Sequence, residues 1–413
     1  MITEIQVENF KSIQKLKLDL GRITVLIGEN GCGKSNILEA IALASAAANN
    51  KLDNEFLFSR GIRVTEPQFM RSAFEQETLD KEIKIYLRME DGSNFKYILQ
   101  NDNQSYSSWR EKHLEMLNQL NEIATDKMEV IVEWASKEFG ANATDRGEDN
   151  DRKRKLALLL ETISDVKEKL ALLIAETSAD TTGIISEWGN RDSLSSFLIY
   201  SPENSSLRIF EREGQIQPLG INGEGLFKLL KSLNSDENID EINEIKTKLK
   251  LIDWFGDFEI SQDLLSMERS IQIKDRYLDA NLPYFDQKSS NEGFLFLLFY
   301  FALFISSITP DFFAVDNIDA SLNPKLCSQL TRELVELSKK HDKQAILTTH
   351  NPAILDGLNL DDDEQRLFVV YRNRFGHTKA KRILKPEPLE GQKPVKLSEA
   401  FMRGYIGGLP KGF

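Results

Sequence analysis

The stretch Gly28–Asn36 reads Gly-Glu-Asn-Gly-Cys-Gly-Lys-Ser-Asn, and it fits the pattern G-x-x-x-x-G-K-[ST] without a departure. The apolar run Ile23–Ile27 before it predicts a buried strand, and the run Asn36–Ala48 after it predicts a helix. Strand, glycine-rich loop and helix in this order are the setting in which the pattern binds phosphate. An ordinary strand–turn–helix with a lysine in its turn is the alternative, and the complete pattern in its complete context disfavours it.

Each part of this loop has a predicted task. Glycines let the backbone wrap closely around phosphate oxygens, because a Cβ would obstruct that approach. Successive backbone N–H groups and the N-terminus of the helix then point at the anion. Lys34 is predicted to reach the β- and γ-phosphates of ATP, and the Ser35 hydroxyl to ligate Mg²⁺. The predicted nucleotide-binding residues are Asn30, Gly31, Cys32, Gly33, Lys34, Ser35 and Asn36.

Composition narrows the classes of partner. The chain has 413 residues and a formal net charge of -13, so two or three domains are expected and bare DNA is a poor electrostatic match. A local basic patch would still allow nucleic-acid binding, which the overall charge does not favour. The two cysteines, Cys32 and Cys327, are far apart and lack zinc-ligand spacing. With no signal peptide at the start, the sequence predicts a reduced, cytoplasmic protein.

An apolar run late in the chain resembles a membrane segment at first sight. The stretch Phe294–Ile305 is almost entirely apolar, yet a membrane-spanning helix needs roughly 20 such residues. We therefore predict a buried core helix and no membrane association.

The chain between the loop and this run changes pattern several times. Alternating apolar residues predict strands before the loop and a hairpin over 81–100 that turns at Asp91–Gly92. The segments 109–139 and 156–173 predict two helices joined by a polar loop, the second with a heptad stripe. This helical hairpin is either an arm that contacts a partner or a lobe that covers the core. The pattern over 197–221 predicts short strands and turns, and 225–255 is predicted to be helical with an interruption at the acidic stretch 234–244. Three arginines between loop and hairpin are predicted to be surface or structural, with nucleotide contact as the alternative: Arg60, Arg63 and Arg71.

Two further strands end in chemically active residues. The apolar run Phe312–Asp316 ends in an acid, and in phosphate-loop ATPases such an acid holds Mg²⁺. The predicted strand Gln344–Thr348 is followed by Thr349 and His350. Ligand groups in parallel α/β sheets commonly stand where strands end.

Taken together, these motifs resemble the ATP-binding-cassette (ABC) ATPase heads of the RecF/SMC type. The closer likeness is to the AAA-annotated ATPases of bacterial anti-phage operons, such as overcoming-lysogenisation-defect nucleases and Septu-type ATPases. The resemblance covers the chain up to about Gln100 and from about Pro202 onward. It implies an α/β fold: an ABC-ATPase head with a mixed sheet, a phosphate-loop core and an antiparallel lobe, interrupted by the helical hairpin or lobe.

The resemblance also assigns roles residue by residue. Gly28–Ser35 matches the Walker A loop, Asp316 the Walker B magnesium acid, and His350 the switch histidine that senses the γ-phosphate. Ser321 and Asn323 belong to a segment similar to the D-loop. The implied signature segment, which binds the nucleotide of the other protomer, consists of Ser290, Asn291, Glu292 and Gly293.

This likeness implies function as well as fold. It implies ATP and Mg²⁺ as cofactors and a homodimer, or a higher homo-oligomer, joined through the ATPase heads. We expect no nuclease domain in this chain, so an effector or nuclease under its control would be a separate protein in anti-phage defence. A RecF-like DNA-repair clamp and an ATP-dependent scaffold with negligible turnover are the alternatives. The expected units are 1–104, 105–195 (the helical insertion), 196–285 (linking strands and a second helical lobe) and 286–413.

Two departures from the family pattern bear on catalysis. The residue after the magnesium acid is normally a catalytic glutamate, and here it is Asn317. An amide carries no charge and cannot act as the base, so slow hydrolysis is expected, with Asp319 as a candidate substitute beside His350. The signature serine is also absent in its usual form, and either Ser290 or Asn291 takes its role.

Overall fold

The computed structural model describes most of the chain outside the predicted helical insertion. The described residues are 1–104, 107–112, 192–210, 216–235, 238–260, 270–279, 281–282, 284–385 and 395–409. Both helices predicted over 109–139 and 156–173 therefore lie almost wholly outside the described residues. The choice between a projecting arm and a covering lobe stays open.

A six-stranded mixed sheet forms the centre, in the order β14-β13-β3-β12-β11-β7. The four pairings from β13 through β3, β12 and β11 to β7 are parallel, whereas β14 pairs antiparallel to β13. Its strands are β3 (Ile23–Ile27), β7 (Ile199–Tyr200), β11 (Phe312–Val315), β12 (Gln344–Thr349), β13 (Gln365–Arg372) and β14 (Thr378–Ile383). Every residue of β3, β11 and β12 is buried, as expected for parallel strands covered on both faces. The strands predicted from apolar runs are thereby confirmed.

An antiparallel lobe stands beside this sheet, in the order β2-β1-β4-β5-β6. Its strands are β1 (Ile2–Phe10), β2 (Ile13–Asp19), β4 (Ile83–Met89), β5 (Asn94–Gln100) and β6 (Arg110–Glu111). The predicted hairpin is confirmed: β4 pairs with β5 around Gly92, whose φ of 89° suits glycine in the turn. The lobe continues to Glu111, somewhat beyond residue 104.

Helices fill the space around the two sheets. They are α1 (Lys34–Ala48), α2 (Asn54–Ser59), α3 (Pro67–Met70), α4 (Asp192–Ser195), α5 (Asn204–Arg208), α6 (Leu226–Leu233), α7 (Ile239–Leu249), α8 (Glu292–Ile305), α9 (Pro324–Lys340) and α10 (Leu397–Met402). Short 3₁₀ turns cover Gln76–Thr78, Gln287–Ser289 and Pro352–Gly357. All residues from Phe294 to Ile305 are buried, so the predicted core helix is confirmed. No helix in the described ranges is long and apolar enough to cross a membrane.

A small third sheet completes the described chain, and a short helix lies in a stretch where only strands and turns were predicted. Helix α6 ends at Leu233 and α7 begins at Ile239, so the helical stretch resumes within the acidic segment 234–244, where an interruption was predicted. The sheet has the order β10-β9-β8, from β8 (Phe255–Ile260), β9 (Ile271–Asp275) and β10 (Phe285–Asp286). The pattern over 197–221 predicts only strands and turns, and the helix α5 in this stretch corrects that prediction. Strand β7 is short because Pro202 has no N–H to extend the ladder, and the backbone then turns, with Leu207 N donating to Glu203 O at 3.0 Å.

Candidate nucleotide-binding site

The loop between β3 and α1 has the backbone that a phosphate cradle needs. Gly31 and Gly33 have φ values of 73° and 106°, which L side chains rarely adopt. A Cβ at Gly33 would lie 2.1 Å from the Thr378 hydroxyl, and one at Gly28 would lie 2.1 Å from the Val370 carbonyl oxygen. Glycine at positions 28 and 33 therefore lets the loop pack against β13 and β14.

Lys34 opens α1 and folds back over the loop. Its side chain is buried, and Nζ donates to the carbonyl oxygens of Gly28 at 3.0 Å and Glu29 at 3.2 Å. Burial lowers the pKa of the Lys34 ammonium, and the negative charges of Asp316 and Asp319 oppose that shift. A desolvated ammonium group is suited to hold a phosphate anion.

Ser35 and Asp316 meet although 281 residues separate them in the sequence. The Ser35 hydroxyl donates to Asp316 Oδ2 at 2.9 Å, and Asp316 directly follows β11. The other carboxylate oxygen accepts a short hydrogen bond from the Thr348 hydroxyl on β12. The pair fits Mg²⁺, which favours oxygen ligands and is commonly held by one or two carboxylates plus substrate phosphates. No group of three or more His, Cys, Asp or Glu able to hold a metal occurs in the described ranges.

His350 and Asp319 lie on the same edge of the sheet. Asp319 Oδ1 accepts from the Thr349 hydroxyl at 2.6 Å and from the His350 backbone N–H at 3.3 Å. Partial loss of hydration lowers the pKa of the His350 imidazole, and the charge of Lys34 lowers it further. The negative charges of Asp319 and Asp316 oppose this lowering of the His350 pKa.

Asn317 stands at the same edge in an unusual backbone conformation. Its φ is 56°, in the left-handed region where asparagine is several-fold enriched. Its backbone N–H donates to the Thr348 hydroxyl at 2.9 Å, and its carbonyl oxygen accepts from the Ala320 N–H. The residue is exposed. Its position next to Asp316 is therefore fixed by the backbone.

The predicted signature segment is built into the start of α8. Asn291 Oδ1 accepts from the Phe294 N–H at 2.9 Å, so Asn291 caps the helix. Ser290 is 3% exposed, and its hydroxyl has no hydrogen-bond partner within the described part of the chain. Since Asn291 is occupied as a cap, Ser290 is the residue of the two with an uncommitted side chain.

The predicted D-loop lies directly against this segment. Glu292 Oε2 accepts from the Ser321 hydroxyl at 2.8 Å, and Glu292 Oε1 accepts from the Asn204 amide at 2.7 Å. Asn323 caps α9 by accepting from the Leu326 N–H at 3.0 Å. The two side-chain hydrogen bonds of Glu292 thus run to the D-loop and to α5, on the same protomer.

Several residues that support the loop were not predicted from the sequence. A chain of hydrogen bonds runs from the Arg63 guanidinium to the Asn36 amide (3.0 Å), then to the Ser12 hydroxyl (2.6 Å) and the Thr378 hydroxyl (2.6 Å). Thr378 in turn donates to Cys32 O at 2.8 Å. Serine and threonine hydroxyls are too common to single these positions out, and only the tertiary fold brings segments from the two sheets and α1 together here.

The three arginines of the sequence analysis have different environments. Arg71 is 1% exposed, and its guanidinium donates to the backbone oxygens of Lys81 and Asn101, so it is structural. Arg60 donates to Phe197 O at 3.1 Å and is also structural. Arg63 lies beside the first turn of α1, where it pairs with the buried Glu39.

Comparison with protein families gives one match over most of the chain. The family model described as "AAA domain, putative AbiEii toxin, Type IV TA system" matches residues 23–356. This range begins with β3 and ends after His350, so it includes the phosphate loop, the signature segment and the strand-end acids.

Similar curated proteins match shorter segments. An uncharacterized protein of Methanocaldococcus jannaschii, MJECL10, is 32% identical over 114 residues, which are 26% of this chain and 50% of that protein. The DNA replication and repair protein RecF of Bacillus thuringiensis is 38% identical over 55 residues, 13% of this chain and 15% of RecF. The matches thus span half or less of the length of each relative.

A solved structure of similar fold covers almost the whole described architecture. An SMC head crystallised with the C-winged helix domain of ScpA aligns with a TM-score of 0.52 and 16% identity, over 93% of this chain and 98% of that one. At this identity the likeness concerns the fold alone. The fold is therefore the α/β fold of ABC-type ATPase heads, as the sequence motifs imply.

Proposed function

This chain belongs to the AbiEii-type AAA-domain family, and on that premise we propose that it is an ABC-type ATPase that binds ATP with Mg²⁺ and hydrolyses it slowly. The observation that carries the proposal is the 2.9 Å contact between Ser35 Oγ and Asp316 Oδ2. A serine after the loop lysine and an acid at the end of another strand of the same sheet are the two protein groups that hold Mg²⁺ in phosphate-loop ATPases.

Each residue of the nucleotide-binding site has a proposed role. The loop N–H groups and Lys34 bind the phosphates, while Ser35 and Asp316 hold Mg²⁺, which neutralises charge on the β- and γ-phosphate oxygens when bound. His350 stands where a neutral imidazole would face the γ-phosphate. Asp319 is the candidate base, since its carboxylate is oriented by Thr349 and belongs to the same cluster of charges.

Slow turnover is proposed from the residue after the magnesium acid. Asn317 cannot accept a proton from water, and Asp319 stands two residues further along the chain. Asp319 Oδ1 is already committed to Thr349, which leaves the other oxygen for catalysis. A scaffold with negligible turnover is the limiting case, and a phosphate-release assay separates it from a slow enzyme.

Head-to-head dimerisation is proposed from the segment Ser290–Gly293. Ser290 has a buried hydroxyl with no described partner, and buried hydroxyls normally have one. The resemblance of this segment to a signature motif implies a nucleotide of a second protomer beside it, and the Ser290 side chain would have to turn outward to reach that nucleotide. The SMC-head fold, with 16% identity, supports the architecture in which such a dimer is built.

The finer proposal is that the dimer controls a separate effector or nuclease in bacterial anti-phage defence. Its support is the resemblance of the motifs to ATPases of defence operons and the description of the matched family as a toxin of a toxin–antitoxin system. We propose the division 1–104, 105–195, 196–285 and 286–413, with the insertion as the element available to such a partner.

A DNA-repair clamp is the second candidate, favoured by the RecF match over 55 residues. It requires DNA binding that weakens steeply with salt, because phosphate neutralisation releases counterions. The net charge of -13 counts against it. Binding of duplex DNA that falls sharply between low and physiological salt would favour the clamp over the defence role.

The decisive experiment measures ATP binding and phosphate release by the full chain, with Mg²⁺ and with a chelator. We expect Mg²⁺-dependent binding and slow release. Failure to bind ATP in either condition would overturn the proposal.

A further inference from the structure

Two exposed phenylalanine rings stand beside the phosphate loop. Phe74 is 43% exposed and Phe375, at the turn between β13 and β14, is 61% exposed. The His377 ring lies between them, with centroids 5.2 Å from Phe74 and 6.2 Å from Phe375. We call Phe74, Phe375 and His377 the hairpin-tip cluster. Neighbouring large rings left in water beside a ligand site point to a ligand that covers them.

The backbone holds this cluster in place. Asn373 Oδ1 accepts from the N–H groups of Phe375 at 2.9 Å and His377 at 3.0 Å. Gly376 has a φ of 82°, and a Cβ there would lie 2.9 Å from the Phe74 ring. The turn thus holds Phe375 and His377 by backbone hydrogen bonds, and Phe74 packs against Gly376 of the same turn.

Both ends of the same turn are attached to the phosphate loop. Arg372 and Thr378 are paired across β13 and β14. Arg372 Nε donates to Gly31 O at 2.7 Å, and Thr378 Oγ1 donates to Cys32 O at 2.8 Å. The Arg372 guanidinium also lies 5.8 Å from the centre of the Phe74 ring. The hairpin-tip cluster and the loop thus form one connected structure.

Sheet order gives the direction in which a bound nucleotide extends. The strands β11 and β12, which carry Asp316 and His350, lie on one side of β3, whereas β13 and β14 lie on the other. The γ-phosphate and Mg²⁺ belong with Asp316 and His350. The ribose and base therefore leave the loop on the opposite side, toward the β13–β14 turn.

We propose that the hairpin-tip cluster is the stacking surface for the base of ATP, a role that rests on the proposed function and adds the base-recognition part of the same site. Aromatic side chains stack on nucleic-acid bases through their π-faces, and arginine planes contribute in the same way. Arg372 and Arg374 each lie over one of the two rings, Arg374 at 4.6 Å from the centre of Phe375. The proposed surface thus offers aromatic ring faces and two arginine cations beside the binding site for the triphosphate.

The test compares ATP with inorganic tripolyphosphate, which has the phosphates but no base. Titrations with Mg²⁺ would use the full wild-type chain, Phe375→Ala and Phe74→Ala. We expect the Kd for ATP to rise about 30-fold in each variant, the middle of the range for loss of one stacking contact, and the Kd for tripolyphosphate to stay unchanged. Phe375→Trp, which keeps a ring, is expected to bind ATP like the wild type.

Phe58→Ala is the matched control, since Phe58 is 67% exposed on α2 and should leave both affinities unchanged. If the wild type binds ATP and neither ring variant weakens it, the stacking surface is wrong while the proposed function stands. Equal weakening of ATP and tripolyphosphate binding in the ring variants would also refute the stacking surface, because the rings would then only support the phosphate loop. A wild-type chain that binds neither ligand would overturn the proposed function itself.

Discussion

The Thr349 hydroxyl donates a hydrogen bond to the Asp319 carboxylate across 2.6 Å, and this contact fixes an acid two residues beyond Asn317. The backbone N–H of His350 reaches the same oxygen at 3.3 Å. The chain thus lacks a glutamate directly after the magnesium acid but holds an oriented carboxylate close by. Whether that carboxylate is the base can be measured.

Asp319→Asn should slow ATP turnover about 100-fold or more, the lower end of general-base contributions. The amide oxygen can still accept from Thr349, so the fold and ATP binding should be kept. Phosphate release and ATP affinity would be measured together, with Thr349→Val as the companion variant that frees the carboxylate without removing it. Unchanged turnover in Asp319→Asn would exclude this residue as the base.

Lys34→Ala should abolish tight ATP binding while leaving the fold intact. Lys34 supplies the side-chain charge that faces the phosphates, and its burial means that no surface ion pair is lost. Calorimetric titration with ATP and thermal unfolding would test both halves. Lys51→Ala, which removes an exposed lysine after α1, is the control. Wild-type affinity in Lys34→Ala would refute the assignment of the loop.

His350 should titrate below its ordinary pKa of 6.5, because partial desolvation and the charge of Lys34 both disfavour the imidazolium. The unfolded chain keeps the ordinary pKa and takes up the proton first as the pH falls. This residue therefore favours folding above about pH 6.5 and loses that contribution below it. Lys34→Ala should raise the pKa of His350.

An NMR titration of the imidazole signals is practical, since the chain has four histidines. A His350 pKa at or above 6.5 in the wild type would contradict the described cluster of charges. An unchanged value in Lys34→Ala would show that the lysine charge does not reach the ring.

Local patterns were sufficient to predict the core of this fold. The glycine-rich loop, the apolar strands and the helix Phe294–Ile305 are each determined by a short continuous stretch, and burial then follows from composition. The hairpin around Gly92 was predictable because a turn that needs positive φ leaves a visible glycine.

Contacts between distant segments were not predictable in this way. Ser12 and Thr378 meet under the loop because β1, β2 and the β13–β14 turn converge there, and neither residue has a distinguishing neighbour in sequence. No sequence pattern likewise predicts the left-handed backbone conformation of Asn317, although asparagine tolerates that conformation. The helix α5 was missed because its five residues are too few to show a helical period.

ATP should drive dimerisation through Ser290 and Gly293. A Cβ at Gly293 would meet its nearest neighbour, Ser321 O, at 3.4 Å, an ordinary contact that the protomer tolerates. Gly293→Ala should therefore fold normally, and a weaker dimer in this variant would report on the surface that faces a second protomer. Ser290→Ala removes a buried hydroxyl without a described partner, so it should not destabilise the monomer.

Light scattering with and without a non-hydrolysable ATP analogue would measure this association for the wild type and both variants. We expect a dimer only with the analogue, and loss of that dimer in Gly293→Ala. An oligomeric state that changes neither with nucleotide nor with the substitutions would contradict binding of the signature segment to the nucleotide of the other protomer. It would not bear on the ATPase fold.

Asn317→Glu should raise the rate of ATP hydrolysis, because it restores a charged base directly after Asp316. The backbone complicates this substitution: with φ at 56°, a residue other than glycine, asparagine or aspartate costs about 1–2 kcal/mol there. Asn317→Asp carries a carboxylate that this conformation tolerates, and Asn317→Gly removes the side chain without backbone strain. Phosphate release by all three would be compared with the wild type, with thermal unfolding to detect the strain. Faster phosphate release in Asn317→Asp or Asn317→Glu, but not in Asn317→Gly, would support a wild-type chain that holds ATP for long periods. Brisk wild-type hydrolysis that falls in Asn317→Glu and persists in Asn317→Gly would instead show that the amide is not what limits the rate.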